Sequence, residues 1–576
     1  MYLKYLVKIP TGETGITTKN IKGTTYVYYA YDREYSSEKQ YTVPKTTSIG
    51  KRDDEHPDMM YPNANCLKFF PDIELPVELE AGSVRSSCLH VGTYFVIRRI
   101  IAKYHIDDMI GSIIGKDAGL FLDLAAYSII AENNAGQYYP DYAYNHPLFT
   151  DGMKIYSDSK ISDFIGQDMT EARIAFLDAW NKERDHRQKI YVSYDSTNKH
   201  CQAGDINLAE IGHEKDKQAK PIFNYAIAYD RNNNEPLFYE DYPGSINDVS
   251  QLQYMLEKVE GYGYKNVGFI LDRGYFSEPN IRYMDSHGYP FVIMVKGMKE
   301  LVSEMVLKHS GQFEQSRTYS IRSYKVNGMT VKAKLFTSDE KDRYFHIFYK
   351  DSKHTAEREK FEQKIDHMEA FLKKNQGKKI PPSPNIEKYF ELIMYNKGKE
   401  DERLVTWKER ADVTDREIAL CGYFVIITSE KMTAEEAIDL YKSRDVSEKL
   451  FRGDKSYMGA RAERVYGNES LETKLFIEFI ALIIRNKIYT CLKDEVKESG
   501  QKENYMTVPA ALKELEKIEM IKSSDNTYRI DHAVSATQKA ILKAFGMNAA
   551  DIKTLGRALG EDLKKVSVKA NVDRED

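Results

Sequence analysis

Three carboxylates are the residues of this sequence whose types and surroundings best suit chemistry. Asp195 follows the apolar stretch of KIYVSYDSTN, Asp272 follows that of VGFILDRGYF, and Glu448 lies in the helix-like segment YKSRDVSEKLFRGDK. Carboxylate oxygens are the ligands that Mg²⁺ prefers. Two such ions about 3.5–4 Å apart can activate an attacking oxygen and stabilise a leaving one. The three residues therefore form a candidate metal site for phosphoryl transfer.

Glu448 shares its predicted helix with three side chains that could contact phosphate. At 100° per residue, the four residues lie at about 0°, 300°, 340° and 320° around the helix axis; they are Tyr441, Arg444, Glu448 and Lys455. An arginine binds phosphate through a bidentate fork and a lysine as a point charge. The tyrosine could stack on a base or bond a phosphate. A stripe this narrow is therefore a candidate for contacts with a phosphate-bearing substrate.

Each of these residues also has an ordinary structural interpretation. An aspartate at a strand end is commonly a turn or cap residue. Glu448 follows Arg444 by four positions, so the two could simply support the helix as an ion pair. Only the combination favours a metal and phosphate site, and it requires the fold to bring Asp195 and Asp272 to the same crevice.

The elements that must position these residues begin at Lys189. Three predicted strands, KIYVSYDST, PIFNYAIAYD and EPLFYEDYPG, are followed by helices alternating with strands. This order predicts a mixed sheet with helices packed on it. Sites in open α/β sheets form outside strand ends, so we expect Asp195 and Asp272 at two strand ends. Glu448 would lie on a single helix, TAEEAIDLYKSRDVSEKLFRGDK, after the strand CGYFVIITSE.

A chain of 576 residues is long enough for about three or four domains. Changes of hydrophobic period and composition divide it into six segments. These are a small β-rich N-terminal domain (1–60), a helical module (90–188), the first part of the sheet domain (189–297), a β-rich insertion domain (298–420), the second part of the sheet domain (421–500), and a helical C-terminal module with a tail (501–576).

Composition limits the class of protein. Hydrophobic residues make up 42% of the chain and charged residues 30%, which is a globular composition. The net charge of −5 requires any DNA binding to use local basic patches. The stretches RSYKVNGMTVKAK and KKNQGKK are candidates, although such runs are also typical of solvated faces. Five dispersed cysteines without a C-x-x-C pair argue against a zinc module and a disulfide framework, and fit a reducing compartment.

Several common motifs are missing or incomplete. GSIIGKDAG has three residues between its glycines where a phosphate loop needs four, which favours a turn between helices. H-E-x-x-H and G-x-S-x-G do not occur, so a zinc peptidase or serine hydrolase has no support. The apolar segment LFIEFIALIIRNKIYTCL is interrupted by Glu478 and Arg485, which predicts a buried helix rather than a membrane span. We expect a cytoplasmic protein with no membrane partner.

The spacing Y-x2-R-x3-E-x6-K at Tyr441, Arg444, Glu448 and Lys455 resembles the signature of DDE transposases of the bacterial insertion-sequence-four family. The long chain, its N-terminal β segment and VGTYFVIRRIIAKYHIDDMI are similar to that family's insertion-sequence-1634 branch. YVSYDSTN, LDRGYFSEPNI and a strand-rich insertion before the glutamate occur in the family's order. The resemblance covers residues 90 to 500.

The resemblance implies an RNase H-like catalytic core in which two Mg²⁺ (or Mn²⁺) ions are bound by Asp195, Asp272 and Glu448. It implies nicking at the ends of a mobile element and attack of the freed 3′-OH on target DNA, in some members through a hairpin. The implied partners are double-stranded DNA, namely the terminal inverted repeats and the target, and a second subunit in a homodimer assembled on DNA. The implied location is the bacterial cytoplasm, in association with the nucleoid.

The resemblance also implies contacts with DNA, and it makes the helical module of residues 90–188 a candidate DNA-end-binding module. Tyr441, Arg444 and Lys455 would contact phosphates near the scissile bond, and Arg273 beside Asp272 is a further candidate. Trp407, in ERLVTWKERADV, could stack on a flipped base, although a tryptophan is also commonly a packing residue. Two rival functions stay open: a metal-dependent nuclease on the same fold that cuts without joining, and an inactive DNA-binding derivative.

Overall fold

The computed structural model describes residues 2–572 with gaps. Outside the description lie residues 1, 4–5, 12–13, 22, 38, 55, 74–84, 202–205, 213–219, 247, 296–298, 460–461, 501–504, 524–526 and 573–576, and also the side chains of 248–249, 299, 447–448, 451–452, 454, 456 and 566–572. The chain divides into two compact units, Met1–Ser86 and Ser87–Asp576.

The first unit is a small antiparallel sheet with one helix. Its elements are β1 (Val7–Lys8), β2 (Ile16–Ile21), β3 (Thr24–Ser36), β4 (Tyr41–Arg52), β5 (Met59–Pro62) and α1 (Ala64–Phe69). The strand order is β1-β5-β4-β3-β2. Val27, Ile49 and Met60 form its small buried core. The long β3–β4 hairpin accounts for the alternating Tyr and Thr residues, because successive strand residues face opposite sides.

The second unit begins with a helical segment. It contains β6 (Cys88–His90), α2 (Gly92–Lys103), α3 (Ile106–Ile114), α4 (Ala118–Ile130), α5 (Tyr139–Asn145), α6 (Asp158–Ile165) and α7 (Thr170–Lys182). GSIIGKDAG forms the end of α3 and the turn into α4, as the incomplete phosphate-loop motif predicted. Trp180 on α7 is fully buried, and its indole nitrogen donates a hydrogen bond to the carbonyl of Pro236.

The central part of the second unit is a large sheet with helices between its strands. Its elements in chain order are β7 (Ile190–Cys201), β8 (Ile222–Asp230), β9 (Glu235–Pro243), α8 (Asp248–Gly261), β10 (Val267–Leu271), α9 (Glu278–Ser286), β11 (Phe291–Met294), α10 (Lys299–His309), β12 (Ser320–Ile321), β13 (Val326–Ala333), β14 (Arg343–Tyr349), α11 (Asp351–Lys374), α12 (Pro384–Tyr389), β15 (Phe390–Tyr395), β16 (Arg403–Glu409), α13 (Ala411–Ala419), β17 (Tyr423–Thr428), α14 (Ala434–Lys442), α15 (Asp445–Tyr457), β18 (Ala462–Glu463) and α16 (Asn468–Ser499).

The large sheet is mixed, as the sequence predicted. Its order is β12-β13-β14-β17-β11-β10-β7-β8-β9, and β18 pairs with the far end of β7. Strands β7, β8 and β9 are antiparallel to one another, whereas β10 runs parallel to β7 and β11 parallel to β10. The remaining strands continue from β11 in antiparallel pairing. Parallel pairing at the centre places the ends of β10 and β11 at one edge of the sheet.

The interval 298–420 contains two structurally different parts. Strands β12, β13 and β14 extend the large sheet through β17. Residues 351–419 instead form helices around the separate hairpin of β15 and β16. That part has its own buried cluster, which includes Leu372, Tyr389 and Leu404.

Helices cover both faces of the large sheet. Phe269 and Leu271 of β10 pack into the main core, whereas Ile270, between them in the chain, packs into a second cluster on the opposite face. Ile438 and Tyr441 of α14 belong to that second cluster. The alternation follows from the two-residue period of a strand, and it places α14 over the face to which Ile270 belongs.

Helix α16 crosses the main core and is buried along most of its length, as predicted for the segment containing Glu478 and Arg485. Two of its buried charges, Lys474 and Glu478, are paired inside the protein. The Lys199 ammonium of β7 lies 2.7 Å from the Glu478 carboxylate, and Lys474 lies 3.3 Å from Glu463 of β18. Among the described residues, none of the helices is long and apolar enough to cross a membrane.

The C-terminal residues add a second small sheet and three helices. They are α17 (Val508–Leu515), β19 (Glu519–Lys522), β20 (Tyr528–Ile530), α18 (Ala536–Lys543) and α19 (Ala549–Val572). Strands β20, β19 and β6 form a three-stranded sheet. The C-terminal segment therefore pairs with residues 88–90, a connection across more than four hundred residues that no local pattern indicates.

Candidate active site

Asp195 and Asp272 lie side by side on neighbouring parallel strands. Tyr194 of β7 pairs with Leu271 of β10, so the next residue on each strand is the aspartate. Tyr194 and Leu271 both face the main core. Because side chains alternate along a strand, both aspartates belong to the opposite face, the one that α14 covers.

Arg444 connects the two aspartates. Its Nη1 lies 3.4 Å from Oδ1 of Asp272 and 3.9 Å from Oδ2 of Asp195. The side chains of Arg444 and Asp195 are 13% and 15% exposed, and that of Asp272 is 35% exposed. The two carboxylates are therefore at a half-enclosed place on the surface, close enough to share one cation.

The helix that carries the candidate phosphate contacts is broken, contrary to the prediction of a single helix. Helix α14 ends at Lys442 and α15 begins at Asp445. The Ser443 hydroxyl donates to the carbonyl of Leu440, which would be the helical acceptor for the Arg444 amide. That amide bonds to the Tyr441 carbonyl instead. The break separates Tyr441 on α14 from Glu448 and Lys455 on α15.

The structure places the members of the stripe in different surroundings. Tyr441 is 4% exposed and belongs to the hydrophobic cluster under α14. The Arg444 guanidinium lies 5.6 Å from the centre of the Tyr441 ring. Lys455 is half-buried on α15. Position 448 is on α15, which contacts β7, but the Glu448 side chain lies outside the described residues.

Asp195 lies within a strand and not at its end, which corrects the prediction. Strand β7 continues for six residues beyond Asp195, whereas β10 ends just before Asp272. The polar stretch after Asp195 is buried because β8 pairs along it and β18 pairs at its end. Lys199 is the clearest case, fully buried between Glu463 and Glu478. No local sequence pattern predicts this cluster. The two signals that the sequence offers are a lysine within a predicted strand and, far away in the chain, a glutamate within an apolar helix.

Two further predicted residues lie at different places. Arg273 follows Asp272 in a short 3₁₀ turn and is exposed. Trp407 lies on β16 in the separate hairpin, opposite Leu392, and packs partly buried against that hairpin's core. None of the described contacts of Trp407 joins it to the two aspartates.

The donor chemistry of this place fits a divalent cation. Two carboxylates lie in adjacent strand positions around a positive group, and oxygen donors suit Mg²⁺ and Mn²⁺. Among the described residues, no group of three or more His, Cys, Asp or Glu residues could hold a metal ion. A third ligand would come from position 448, on the helix packed against β7.

A profile of the family described as "Transposase DDE domain" matches residues 192–484, just over half of the chain. The chain belongs to this family. The matched region begins within β7 and ends within α16, so it includes both aspartates, Arg444 and position 448. Membership identifies a transposase domain that cleaves and transfers nucleic acid strands.

Comparisons with curated proteins and with solved structures do not extend this family assignment. Among curated proteins, none matches this chain. A cryo-EM structure of a piggyBac transposase synaptic complex with hairpin DNA is similar over 82% of each chain, at 9% identity and a TM-score of 0.34. A similarity this low carries no argument about the fold or the site of this transposase-domain protein.

Proposed function

We propose that this chain is the DNA transposase of a bacterial insertion sequence, of the insertion-sequence-four family and its insertion-sequence-1634-like branch. It nicks the terminal inverted repeats of its element and joins the freed 3′-OH to target DNA, as a homodimer assembled on DNA in the bacterial cytoplasm. The observation that carries the proposal is the pairing of β7 with β10, which sets Asp195 beside Asp272 within a matching DDE domain.

The proposed catalytic core is RNase H-like. Its support is the order of the five strands β9-β8-β7-β10-β11, in which the first three strands are antiparallel and the last two run parallel to β7. Asp195 lies on the central strand of this group and Asp272 directly after its parallel neighbour. Position 448 lies on α15, which follows β17 in the chain, consistent with the order Asp, Asp, Glu.

In the proposed reaction, Asp195, Asp272 and Glu448 hold two Mg²⁺ or Mn²⁺ ions. When bound, such ions activate the attacking oxygen and stabilise the leaving one. Arg444 then moves from the carboxylates to the DNA phosphate, which it can bind through two parallel hydrogen bonds. Lys455 and Arg273 add positive charge along the DNA strand, and the ring of Tyr441 holds the Arg444 side chain in position. A role for Trp407 would require the separate hairpin to approach the flipped base.

A strand-transfer assay tests the proposal. Purified protein is incubated with Mg²⁺, a supercoiled plasmid and pre-cut duplexes that carry the inverted repeats flanking the coding sequence. We expect joined products with the wild-type chain and none with Asp195→Asn, Asp272→Asn or Glu448→Gln. Glu435→Gln is the matched control, because Glu435 is an exposed glutamate on α14 and its replacement should leave joining intact.

The outcomes separate the rival functions. Nicking without joined product would support a metal-dependent nuclease on the same fold. Specific binding of the repeats without cleavage would identify an inactive derivative, although the sequence retains all three carboxylates. Unchanged joining by Asp195→Asn would refute the metal site.

A further inference from the structure

A second candidate site lies behind α15, away from the two aspartates. A cavity of about 460 Å³ opens between α15, α16 and the start of α17. Its walls are mainly apolar and include Val446, Leu450, Leu482, Val496, Met506 and Val508. This volume is within the usual range of small-molecule sites, about 300–1,000 Å³. The cavity is therefore large enough for a ligand with an apolar body.

The charged residues described at this cavity all have one sign. Among the described residues, Lys449, Arg485 and Lys493 line it, and no aspartate or glutamate does. Within the same part of the chain, no carboxylate lies within ion-pair distance of these three groups. Arg485 instead lies 5.0 Å from the ring centre of Tyr457, and both lysines lie just under 6 Å from that of Tyr489. In a protein with a net charge of −5, three cations gathered at one apolar cavity indicate an anionic ligand.

Arg485 is the most informative of the three cations. It is 6% exposed, and its Nη1 has no hydrogen-bond partner among the described residues. A buried charge is costly unless it is paired and hydrogen-bonded. Burial lowers the pKa of this guanidinium, and the Glu132 carboxylate opposes that effect. Tyr457 lies close enough to hold the side chain in place, but no described carboxylate lies within ion-pair distance of its charge.

We propose that this cavity binds a small amphipathic anion, a carboxylate or phosphate monoester whose charged end pairs with Arg485 and whose apolar body lies between α15 and α16. Lys449 and Lys493 attract the anion at the mouth of the cavity. The aliphatic and aromatic walls then bury its body, so that the ligand supplies a counter-ion to Arg485.

The position of the cavity gives such a ligand a route to the active site. On α15, Val446, Gly453 and Tyr457 line the cavity, and they share one face of an ideal helix. Positions 448 and 455 lie about 180–200° away on that helix. A ligand behind α15 would therefore set the position of the helix that carries Glu448. This coupling rests on the proposed transposase function, whereas ligand binding does not.

Binding can be measured without DNA. The probe is 8-anilinonaphthalene-1-sulfonate, an apolar anion whose fluorescence increases in apolar sites, titrated into the full-length protein. We expect saturable binding that dodecanoate or dodecyl phosphate displaces and that dodecyltrimethylammonium does not. The relative potency of the first two identifies whether the site prefers a carboxylate or a phosphate. Equal displacement by the cationic amphiphile would overturn the proposal.

Variants locate the probe in this cavity. Arg485→Met should weaken probe binding at least tenfold without lowering the melting temperature, because it removes a buried charge that has no ion-pair partner among the described residues. Leu482→Trp should abolish binding by filling the cavity. Lys493→Met should weaken binding, whereas Lys497→Met, one turn along α16 and outside the cavity lining, should not.

Two results would overturn the site. One is wild-type probe affinity in both Arg485→Met and Leu482→Trp. The other is a large loss of melting temperature in Arg485→Met, which would make Arg485 a structural residue. Failure of strand transfer in the wild-type protein would count against the proposed function and leave these binding measurements valid.

Discussion

Replacing Arg444 with glutamine should make the DNA-free protein bind Mn²⁺ more tightly. The guanidinium lies between Asp195 and Asp272, where a metal ion would have to bind. A metal that enters this place must first separate Arg444 from both carboxylates. Removing the guanidinium removes that competition, so metal affinity should rise even though Arg444 is proposed to bind DNA phosphate in the reaction.

The distances determine the size of this effect. At an effective dielectric constant of 20, unit charges at the two distances between Arg444 and the carboxylates attract by about 4–5 kcal/mol per pair. Asp272 is 35% exposed, so water screens its pair strongly, and measured net values for exposed pairs are about 0.2–1 kcal/mol. A net competition of about 1.5 kcal/mol for both pairs together corresponds to a roughly tenfold lower Kd for Mn²⁺ in Arg444→Gln.

Titration of Mn²⁺ followed by electron paramagnetic resonance measures this affinity directly. Arg273→Gln is the matched control, because it removes the same charge from an exposed residue next to Asp272. We expect that control to change the Kd less than twofold, and Arg444→Lys to give an intermediate value. The Arg444→Gln protein should nevertheless lose strand transfer.

The reasoning is refuted if Arg444→Gln binds Mn²⁺ no more tightly than wild type while its thermal melt is unchanged. It is also refuted if Arg273→Gln produces the same gain, since the effect would then be one of general charge. Asp272→Asn should abolish tight Mn²⁺ binding in either background, which links the signal to this site.

Three further predictions concern stability. Tyr441→Ala should lower the free energy of unfolding by about 3–5 kcal/mol in urea denaturation, because Tyr441 fills the core under α14; a loss below about 1 kcal/mol would contradict this packing role. Burial lowers the pKa of His346 to about 4, so below its unfolded pKa of about 6.5 the unfolded state binds more protons and stability is lost as pH falls towards 4. His346→Gln should reduce that loss, by up to about 3 kcal/mol, in melts at pH 7 and pH 4.5, and equal losses in both proteins would exclude His346 as its source. Lys199→Met should cost about 3–5 kcal/mol by removing the ammonium that lies 2.7 Å from the buried Glu478 carboxylate, and adding Glu478→Leu should restore much of that stability; a second loss of similar size would show that the two residues act independently.

Local patterns predicted much of the fold. The apolar runs before Asp195 and Asp272 form strands, the segment around Glu478 and Arg485 forms a buried helix, and the strands from Lys189 onward form a mixed sheet. These features follow from side-chain period and run length, which neighbouring residues determine. The extent of β7 did not follow, because the polar residues after Asp195 are buried only through pairing with β8 and β18.

The candidate site likewise has some features that local patterns predicted and others that they did not. Residue types and order in the chain indicated which carboxylates and basic residues to examine, and the spacing of the stripe was correct for one uninterrupted helix. The structure instead interrupts that helix after Lys442, where the Arg444 amide bonds to the Tyr441 carbonyl rather than to that of Leu440, and Tyr441 packs in the core. A helical period does not show where one helix ends and the next begins.

The sequence by itself determined the chemical inventory of this protein: which carboxylates follow apolar runs, which helix is buried, and which motifs are missing. Only the tertiary structure decided the register of β7 against β10, the place of Arg444 between two aspartates, and the burial of Arg485 at the cavity behind α15. The physical reason is that secondary structure depends on neighbours in the chain. Register, charge pairing and burial depend instead on residues that folding brings together from hundreds of positions apart.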